Sequence, residues 1–550
     1  MNSRSEEVTV TPEERPSFLQ GAFILAVAGL MNRFIGAVVW LIVPIFLADV
    51  GLGLFRMAFN LYTALLALPG IGIPIALAKL VAEREGWGDR GGALRIFRIT
   101  FVVLLVVGLA VAVLAAAGAP YYATHILKDP RAAYTIIAIA PAIFIFSIVA
   151  AFRGLFQGLQ RMTPYGVSQM LEQPTRAVAI FALLYLLVGR GQTWGAVGVS
   201  AATIVGGVFA LAYLAYAYYR QRDDIHAGGR AERPEHQAAT SAILARLVKL
   251  GVPISIAGTA LTLLNFADSI LIPARLHAAG YGTEIVTSLY GMFAGKTMVL
   301  VGAPTVITGA IAFTLMPAIS EALAGKIDPA EARTRARSGF RMAILLMLPA
   351  SVGLLILARD IPAVLWNSPE VGPSLAVLSF GVVFLAVQQI SVGILQGMGR
   401  PDIPVVNLLI GLAFKVAILW VLVAIPSWNI VGAAVSSLVA FFVASSLNLW
   451  VVGRRLQGGV IDPRSALLKP ALSSLVMAAG VIIIRWVVLV VLGSPGLAVL
   501  ASIGGGATLY FISLAYIGGI SRADLEFFPS IGDKIARRLA AAGLLAEDQS

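Results

Sequence analysis

Apolar segments long enough to cross a membrane follow one another from about residue 18 to about residue 519, with short polar breaks between them. A helix needs about 20 apolar residues to span the hydrocarbon core of a bilayer. About fourteen segments meet this condition: near 19–47, 53–82, 95–118, 132–157, 167–188, 195–219, 247–274, 284–322, 338–358, 371–396, 404–424, 430–453, 466–492 and 496–519. The chain is only 12% charged, about half the share of a soluble protein. The sequence therefore predicts an all-α, polytopic membrane protein of about 14 transmembrane helices.

The basic residues between these segments are unevenly distributed. The loops after even-numbered spans and the two tails carry about 25 Lys and Arg, against about five in the loops after odd-numbered spans. Because positive loops stay in the cytoplasm, we expect an inner-membrane protein with both termini cytoplasmic. The net charge of +12 then serves orientation and contact with anionic membrane lipids, and no nucleic-acid partner is expected.

Two short matches at a common offset of about 240 residues indicate an internal duplication. Gln-Gly-Leu-Gln at 157–160 matches Gln-Gly-Met-Gly at 396–399, and Ala-Leu-Ala-Lys at 76–79 resembles Ala-Ile-Ser-Glu at 318–321. Six spans per half, with two further spans, account for the total, and an even number of spans keeps both halves in one orientation. We therefore predict two six-helix lobes that form a parallel pseudo-repeat.

The predicted organisation follows from these boundaries. It comprises a cytoplasmic N-terminal tail (1–17), a first lobe (18–219), a cytoplasmic linker (220–246), a second lobe (247–453), two C-terminal spans (454–519) and a cytoplasmic amphipathic tail (520–550). The second and eighth spans are over-long and contain Pro69, Pro74, Pro304 and Pro317, so both are predicted to bend.

Charged residues inside spans are costly and usually face a water-filled cavity or a partner. Arg33, Arg56 and Lys296 lie in the first, second and eighth spans. A cavity lined by them would be positive and suited to an anion, above all a phosphate or diphosphate that Arg grips with two nitrogens. We therefore predict these three residues as the substrate-binding set. For Arg56, snorkelling to an interface is an equal alternative.

Four further charges are candidates for the cavity or for coupling to an ion: Glu172, Arg176, Asp268 and Lys415. Glu172 and Arg176 are four residues apart, so they could instead pair along one helix face. Asp268 could neutralise a basic neighbour within the bundle.

No enzyme constellation is present in the sequence. It has no phosphate loop and no cysteine, and His125, His226, His236 and His277 lack metal-site spacing. We therefore predict no catalytic residues, no metal and no cofactor. Energy would come from an ion gradient, the membrane potential or a downhill substrate.

Several stretches resemble a known family. They are residues 20–25, 32–36, 53–58, 72–81 and, most specifically, Phe-Arg-Gly-Leu-Phe-Gln-Gly-Leu-Gln-Arg-Met-Thr-Pro at 152–164. They resemble polysaccharide-biosynthesis exporters, in particular the stage V sporulation protein B branch of the multidrug/oligosaccharidyl-lipid/polysaccharide (MOP) superfamily. That branch is related to the MurJ lipid II flippases, and the resemblance covers almost the whole chain.

This resemblance implies lobes arranged as a V, alternating access, and a function in peptidoglycan or polysaccharide synthesis. It implies a flippase for an undecaprenyl-diphosphate-linked sugar, either lipid II or a related lipid-linked oligosaccharide. In MurJ-type flippases cavity arginines on the first, second and eighth helices bind the diphosphate. Arg33 matches the first, Arg56 approximately the second, and Lys296 takes the place of the eighth-helix cation. Val39 and Trp40 stand where a second basic residue of the first helix is expected.

Other functions remain open on the sequence. A multidrug/cation antiporter of the MATE type would want acidic residues in its cavity, whereas basic residues are in excess here. A membrane-embedded glycosyltransferase or polymerase would need a large outer loop with acidic residues, and a non-transporting scaffold would leave the intramembrane charges unexplained. A monomer is expected.

Overall fold

The computed structural model describes residues 18–226, 239–324 and 329–521, together with Asp524 and Arg537. Nearly all of this part of the chain is helical, which confirms the predicted all-α class. The predicted N-terminal tail, the middle of the linker and most of the amphipathic tail lie outside the described residues.

The first lobe contains seven helices, and a short eighth helix follows in the segment predicted as the linker. They are α1 Phe18–Phe46, α2 Asp49–Ala67, α3 Ile73–Gly86, α4 Arg90–Tyr121, α5 Ala132–Gly158, α6 Met162–Leu187, α7 Gln192–Arg220 and α8 Arg222–His226. The second lobe contains α9 Thr240–Ala278, α10 Thr283–Gly291, α11 Met298–Gly302, α12 Thr305–Ala324, α13 Pro329–Ile356, α14 Asp360–Trp366, α15 Gly372–Ser379, α16 Gly381–Gly397, α17 Asp402–Leu422 and α18 Asn429–Arg455. Two final helices follow, α19 Lys469–Leu492 and α20 Pro495–Tyr516.

Many of these helices are apolar enough to cross a membrane, so the chain is a multi-pass membrane protein. Among the described residues twelve helices meet the length and hydropathy condition, or up to thirteen when the bent pair Pro369–Ser379 and Gly381–Gly397 counts as one span. The predicted total of 14 transmembrane helices is not confirmed by this condition and stays a prediction. The boundaries of the two lobes also stay predictions, and we keep the names first lobe and second lobe for these two parts of the chain.

Both over-long spans are interrupted. The second consists of α2 and α3, joined by a wide π-helical turn at Leu68–Gly72 that contains Pro69. The eighth breaks between α11 and α12, where Pro304 lies, whereas Pro317 remains inside α12. Proline lacks the amide hydrogen that a helix needs, which explains these interruptions. The eighth span also has a π-helical turn at Met292–Thr297 that the sequence did not predict.

The two matched sequence segments pack against each other within each lobe. A side-chain carbon on Gly158 of α5 would overlap Val81 and the Ala78 carbonyl of α3, and one on Gly397 of α16 would overlap the Met316 carbonyl of α12. Gly154 and Gly393, one turn earlier, make the equivalent close approaches. Small residues four apart let helix backbones approach closely in membranes.

The chain turns in the same way after α5 and after α16. Gln160 has a φ of 58° and Gly399 a φ of 71°, so the residue that stands three positions after the matched glutamine is left-handed in both lobes. The structural equivalence therefore includes the turn as well as the helix packing.

Helix α2 connects the two lobes, because it packs against both α9 and α10 of the second lobe. At one end of the interface the contact is backbone to backbone. A side-chain carbon on Gly53 would overlap the Thr287 carbonyl, and one on Gly291 would overlap the Asp49 carbonyl. This end, where α2 begins, is therefore tightly closed.

Candidate functional site

A cavity of about 990 Å³ lies between α2 and the second lobe. Arg56 and Asn60 of α2 line its first-lobe side, with Ile71 and Ile75 further along the same span. The opposite wall comes from α9 to α12, α16, α17 and α18. Most of the lining is apolar, which is typical of a pocket in which a few polar groups fix the ligand.

Polar side chains from three helices meet at the α2 side of this cavity. The Asn60 amide Nδ2 donates to the Tyr290 hydroxyl at 2.9 Å and to the Asn265 carbonyl at 3.0 Å. These bonds join α2 to α10 and α9. Asn60 and Tyr290 were not predicted as site residues, although Asn60 lies one helical turn after Arg56 and so shares its face.

Arg56 lines the cavity, and its predicted role in substrate binding stays a prediction. Its guanidinium carbon lies 4.4 Å from the centroid of the Trp40 ring, and its Nε has no hydrogen-bond partner among the described residues. Arg56 therefore rests on an aromatic face and keeps its hydrogen-bonding capacity. Trp40, one of the two residues that depart from the family pattern, supports this arginine by a cation–π contact.

Asp268 and Lys415 also line the cavity, and they form a buried ion pair. Lys415 Nζ donates to Asp268 Oδ2 at 2.6 Å, and the two side chains are 3% and 6% exposed. Asp268 Oδ1 has no partner in the described part of the chain. Because this pair is internally neutral, Arg56 carries the charge excess of the described cavity wall.

Lys296 lies elsewhere, at the closed end between the lobes. Its Nζ is 2.7 Å from Asp49 Oδ1 and also donates to Ser368 Oγ. In this structure Lys296 therefore does not line the cavity with Arg56, contrary to what we expected, and its role in transport stays a prediction. The physical reason is helical periodicity: Ala294 and Met298 line the cavity, and Lys296, midway between them, lies on the other face of the helix.

Further contacts reinforce the closed end. Thr287 Oγ1 of α10 donates to Asp129 Oδ2 at 2.7 Å, and Trp366 Nε1 donates to the Leu41 carbonyl at 2.9 Å. Each contact joins one lobe to the other. Asp49 and Ser368 were missed by sequence reasoning because both lie at helix ends, where a polar residue carries no special signal.

The remaining predicted residues lie in the first lobe. Arg33 belongs to α1, but its side chain lies outside the described residues. Glu172 Oε2 accepts a hydrogen bond from Arg153 Nη2 at 2.9 Å, so its partner is on α5 and the pairing with Arg176 on one helix face is not formed. Arg176 contacts the Phe59 ring, with its guanidinium carbon 5.3 Å from the ring centroid.

The structure thus brings together Arg56, Asp268 and Lys415 and separates them from Lys296. Within the described ranges no group of three or more His, Asp or Glu is placed to hold a metal ion. What the cavity offers is a single cation with free donors, a neutral ion pair and a large apolar wall, an arrangement that can bind an amphipathic anion.

Known proteins that resemble this chain in sequence or in structure share its arrangement of helices. The polysaccharide biosynthesis protein family matches residues 18–323, and the MatE family matches residues 277–421. Stage V sporulation protein B of Bacillus subtilis (strain 168) is 27% identical over 527 residues, which cover 95% of this chain and 100% of the relative. Lipid II flippase MurJ of the same organism is 25% identical over 488 residues, covering 85% and 88%.

A solved structure described as lipid II flippase MurJ in an inward closed conformation superposes with a TM-score of 0.65. The superposition covers 90% of this chain and 97% of that one at 13% identity. At this identity the likeness concerns the fold, and it confirms the predicted MurJ-like arrangement of helices.

Proposed function

Because the chain belongs to the polysaccharide biosynthesis protein family, and with it to the MOP superfamily of transporters and flippases, we propose that it flips an anionic lipid-linked sugar across the cytoplasmic membrane. The substrate class is an undecaprenyl-diphosphate-linked sugar, with lipid II or a related lipid-linked oligosaccharide as the cargo. One observation carries this proposal: Arg56 stands without a carboxylate partner in the described wall of a cavity between the two lobes.

Arg56 suits a diphosphate better than a neutral ligand. A guanidinium offers a planar fork of donors that matches two phosphate oxygens, and the stacking on Trp40 fixes its plane. The surrounding wall is largely apolar, so little water competes for those donors, and the attraction between the charges is stronger than in solution. The isoprenoid part of the substrate would stay in lipid or apolar surroundings.

Movement of the substrate requires the two lobes to separate at the closed end. The contacts of Lys296 with Asp49, of Thr287 with Asp129 and of Trp366 with Leu41 would then break together. A ligand can drive this change only through a difference in its affinity for the two states. We assign Lys296 to the gate that sets this equilibrium, and Arg56 to the substrate.

Complementation tests the proposed function. A bacterial strain depleted of its lipid II flippase should grow when this chain is expressed, and Arg56→Gln should fail at a matched level of membrane protein. Arg56→Lys keeps the charge without the fork, so it should support intermediate growth. Normal growth with Arg56→Gln would remove Arg56 from the substrate site. Failure of the wild-type chain would show that lipid II is not its cargo.

A MATE-like cation antiporter is the second candidate, and one observation favours it. Asp268 places a carboxylate oxygen without a partner in the described cavity wall, and the MatE family matches part of the second lobe. Such an antiporter would bind an organic cation at Asp268 after release from Lys415. Efflux of ethidium from cells that express the chain, abolished by Asp268→Asn and unaffected by Arg56→Gln, would favour this function over the first.

A further inference from the structure

A second, smaller cavity of about 170 Å³ lies within the first lobe, between α1, α2 and α6. Its polar lining consists of Asn32, Gln173 and Arg176, and the rings of Trp40 and Phe59 form an apolar wall. It shares no lining residue with the larger cavity in the described part of the chain. The function proposed above makes no use of it.

The charge of this small cavity is left unbalanced by the way its neighbours pair. Glu172 is the carboxylate one turn before Arg176, but it accepts from Arg153, which also donates to Ser168 Oγ at 3.0 Å. Arg176 has no carboxylate partner among the described residues, and the contact it makes is with the Phe59 ring. A guanidinium inside the bilayer usually faces a water-filled cavity or a partner, and Arg176 faces this small cavity.

The other lining groups indicate which kind of ligand would supply the negative charge that balances Arg176. Asn32 Oδ1 is buried and has no hydrogen-bond partner in the described structure, although buried polar atoms are normally paired. Gln173 adds a second amide. Amides that bond hydroxyl groups, beside two aromatic side chains that contact C–H groups, form a lining that suits a sugar ring. The guanidinium adds a site for a carboxylate on that ring.

The Trp40 ring lies between this cavity and Arg56 of the larger one. It lines the small cavity, and Arg56 of the large cavity stacks on the same ring at 4.4 Å. The Trp40 and Phe59 rings are 6.4 Å apart, with Arg56 at Trp40 and Arg176 at Phe59. One ligand with two anionic groups could therefore span both arginines.

We propose that the cavity of Asn32, Gln173 and Arg176 binds the acidic sugar of the transported lipid, while Arg56 binds its diphosphate. This inference rests on the proposed function and adds a specificity site to it. The chain would then prefer a polyprenyl-diphosphate-linked sugar with a free carboxylate over the neutral equivalent. Of the two cargoes proposed above, this favours a related acidic oligosaccharide over lipid II, in which the N-acetylmuramic acid carboxyl is amide-bonded to the peptide.

Binding to the purified full chain in nanodiscs tests this assignment with three probes. They are undecaprenyl diphosphate, undecaprenyl-diphosphate-N-acetylglucosamine and undecaprenyl-diphosphate-N-acetylmuramic acid, of which only the last has a sugar carboxylate. The wild type should bind the acidic sugar lipid most tightly. Arg176→Gln should weaken that binding by about tenfold or more, the loss of one charge-assisted contact, and should leave undecaprenyl diphosphate binding unchanged.

Two further variants make the result specific. Arg176→Lys keeps the charge and should retain most of the preference for the acidic sugar, which also shows that the position tolerates substitution. Arg190→Gln removes an exposed arginine just after α6 and should change none of the three affinities.

Either of two results would overturn the sugar site. Equal weakening of all three probes by Arg176→Gln would make Arg176 a second diphosphate ligand, and unchanged binding of the acidic probe would leave it without a role. A different result would contradict the proposed flippase function, namely that Arg56→Gln leaves the binding of undecaprenyl diphosphate unchanged.

Discussion

At the scale of single residues, the described spans show how a membrane protein accommodates internal charge. Lys415 pairs with Asp268, Arg485 pairs with Asp360 at 2.8 Å, and Arg56 rests on an aromatic ring. In the two ion pairs the charge is neutralised within the chain. The Trp40 ring shields the charge of Arg56, but it leaves the guanidinium free to bind a ligand. This difference separates Arg56 as a binding group from the structural ion pairs.

The Asp268–Lys415 pair is predicted to be structural as long as it stays intact. Lys415→Met should lower the free energy of unfolding by about 3–5 kcal/mol, because it leaves a buried carboxylate unpaired. The double variant Asp268→Leu, Lys415→Met should recover most of this loss, since no charge remains. Thermal unfolding of the purified proteins in detergent measures both. A single variant as stable as the wild type would mean that Asp268 is neutral without its lysine.

At the scale of helices, close packing through glycine defines each lobe. Gly393→Leu should destabilise the chain by about 1–3 kcal/mol or more, because the new side chain meets the Ala312 carbonyl of α12. Gly353→Leu is the matched control, since a side-chain carbon there meets nothing within 4 Å. Unfolding temperatures in detergent compare the two. Equal stability of both variants would contradict the role assigned to the α12–α16 contact.

Lys296, in the π-helical turn of the eighth span, pairs with Asp49 at the closed end. Lys296→Gln removes the ion pair with Asp49, so the population open at that end should rise by about tenfold. A cysteine at Ala294, which lines the cavity, reports this opening. Its reaction with a membrane-impermeant thiol reagent, added on the Lys128 side, should accelerate in the Lys296→Gln background.

Lys296→Arg, which keeps the charge, is the control and should react slowly, like the parent. An unchanged rate in Lys296→Gln would show that the other interlobe contacts hold this end closed without Lys296. Since the chain has no native cysteine, the reaction has no background from other thiols.

At the scale of the whole molecule, hydropathy and the low share of charged residues were enough to predict the fold class, and the prolines were enough to predict the interrupted spans. That Asp268 neutralises a basic neighbour was foreseen as one alternative, but which residues pair could not be predicted, because this depends on how each helix is rotated about its axis. When a span is apolar on all sides, its sequence does not show which face packs against a neighbouring helix. Glu172 shows this: its neighbour along the helix was the expected partner, but the rotation of α6 turns it towards Arg153. The position of Lys296 likewise depends on the rotation of its helix, which turns Ala294 and Met298 towards the cavity and Lys296 towards Asp49.

The membrane topology of the chain can be tested by cysteine labelling. Cysteines at Lys128 and Gly189, both exposed and in loops after odd-numbered spans, should react with an impermeant thiol reagent added outside intact cells. Cysteines at Arg220 and Thr334, exposed and after even-numbered spans, should react only after the membrane is opened. Labelling of Thr334 from outside would reverse the proposed orientation.

Flipping by the purified chain tests the central proposal most directly. Proteoliposomes would contain a fluorescent undecaprenyl-diphosphate-linked sugar. The loss of fluorescence after addition of an impermeant quencher would give the fraction of this lipid in the outer leaflet. The account predicts that the wild type moves the lipid between leaflets, that Arg56→Gln slows this by about tenfold or more, and that Arg56→Lys lies between them. A wild-type rate equal to that of protein-free vesicles, or full activity in Arg56→Gln, would contradict it.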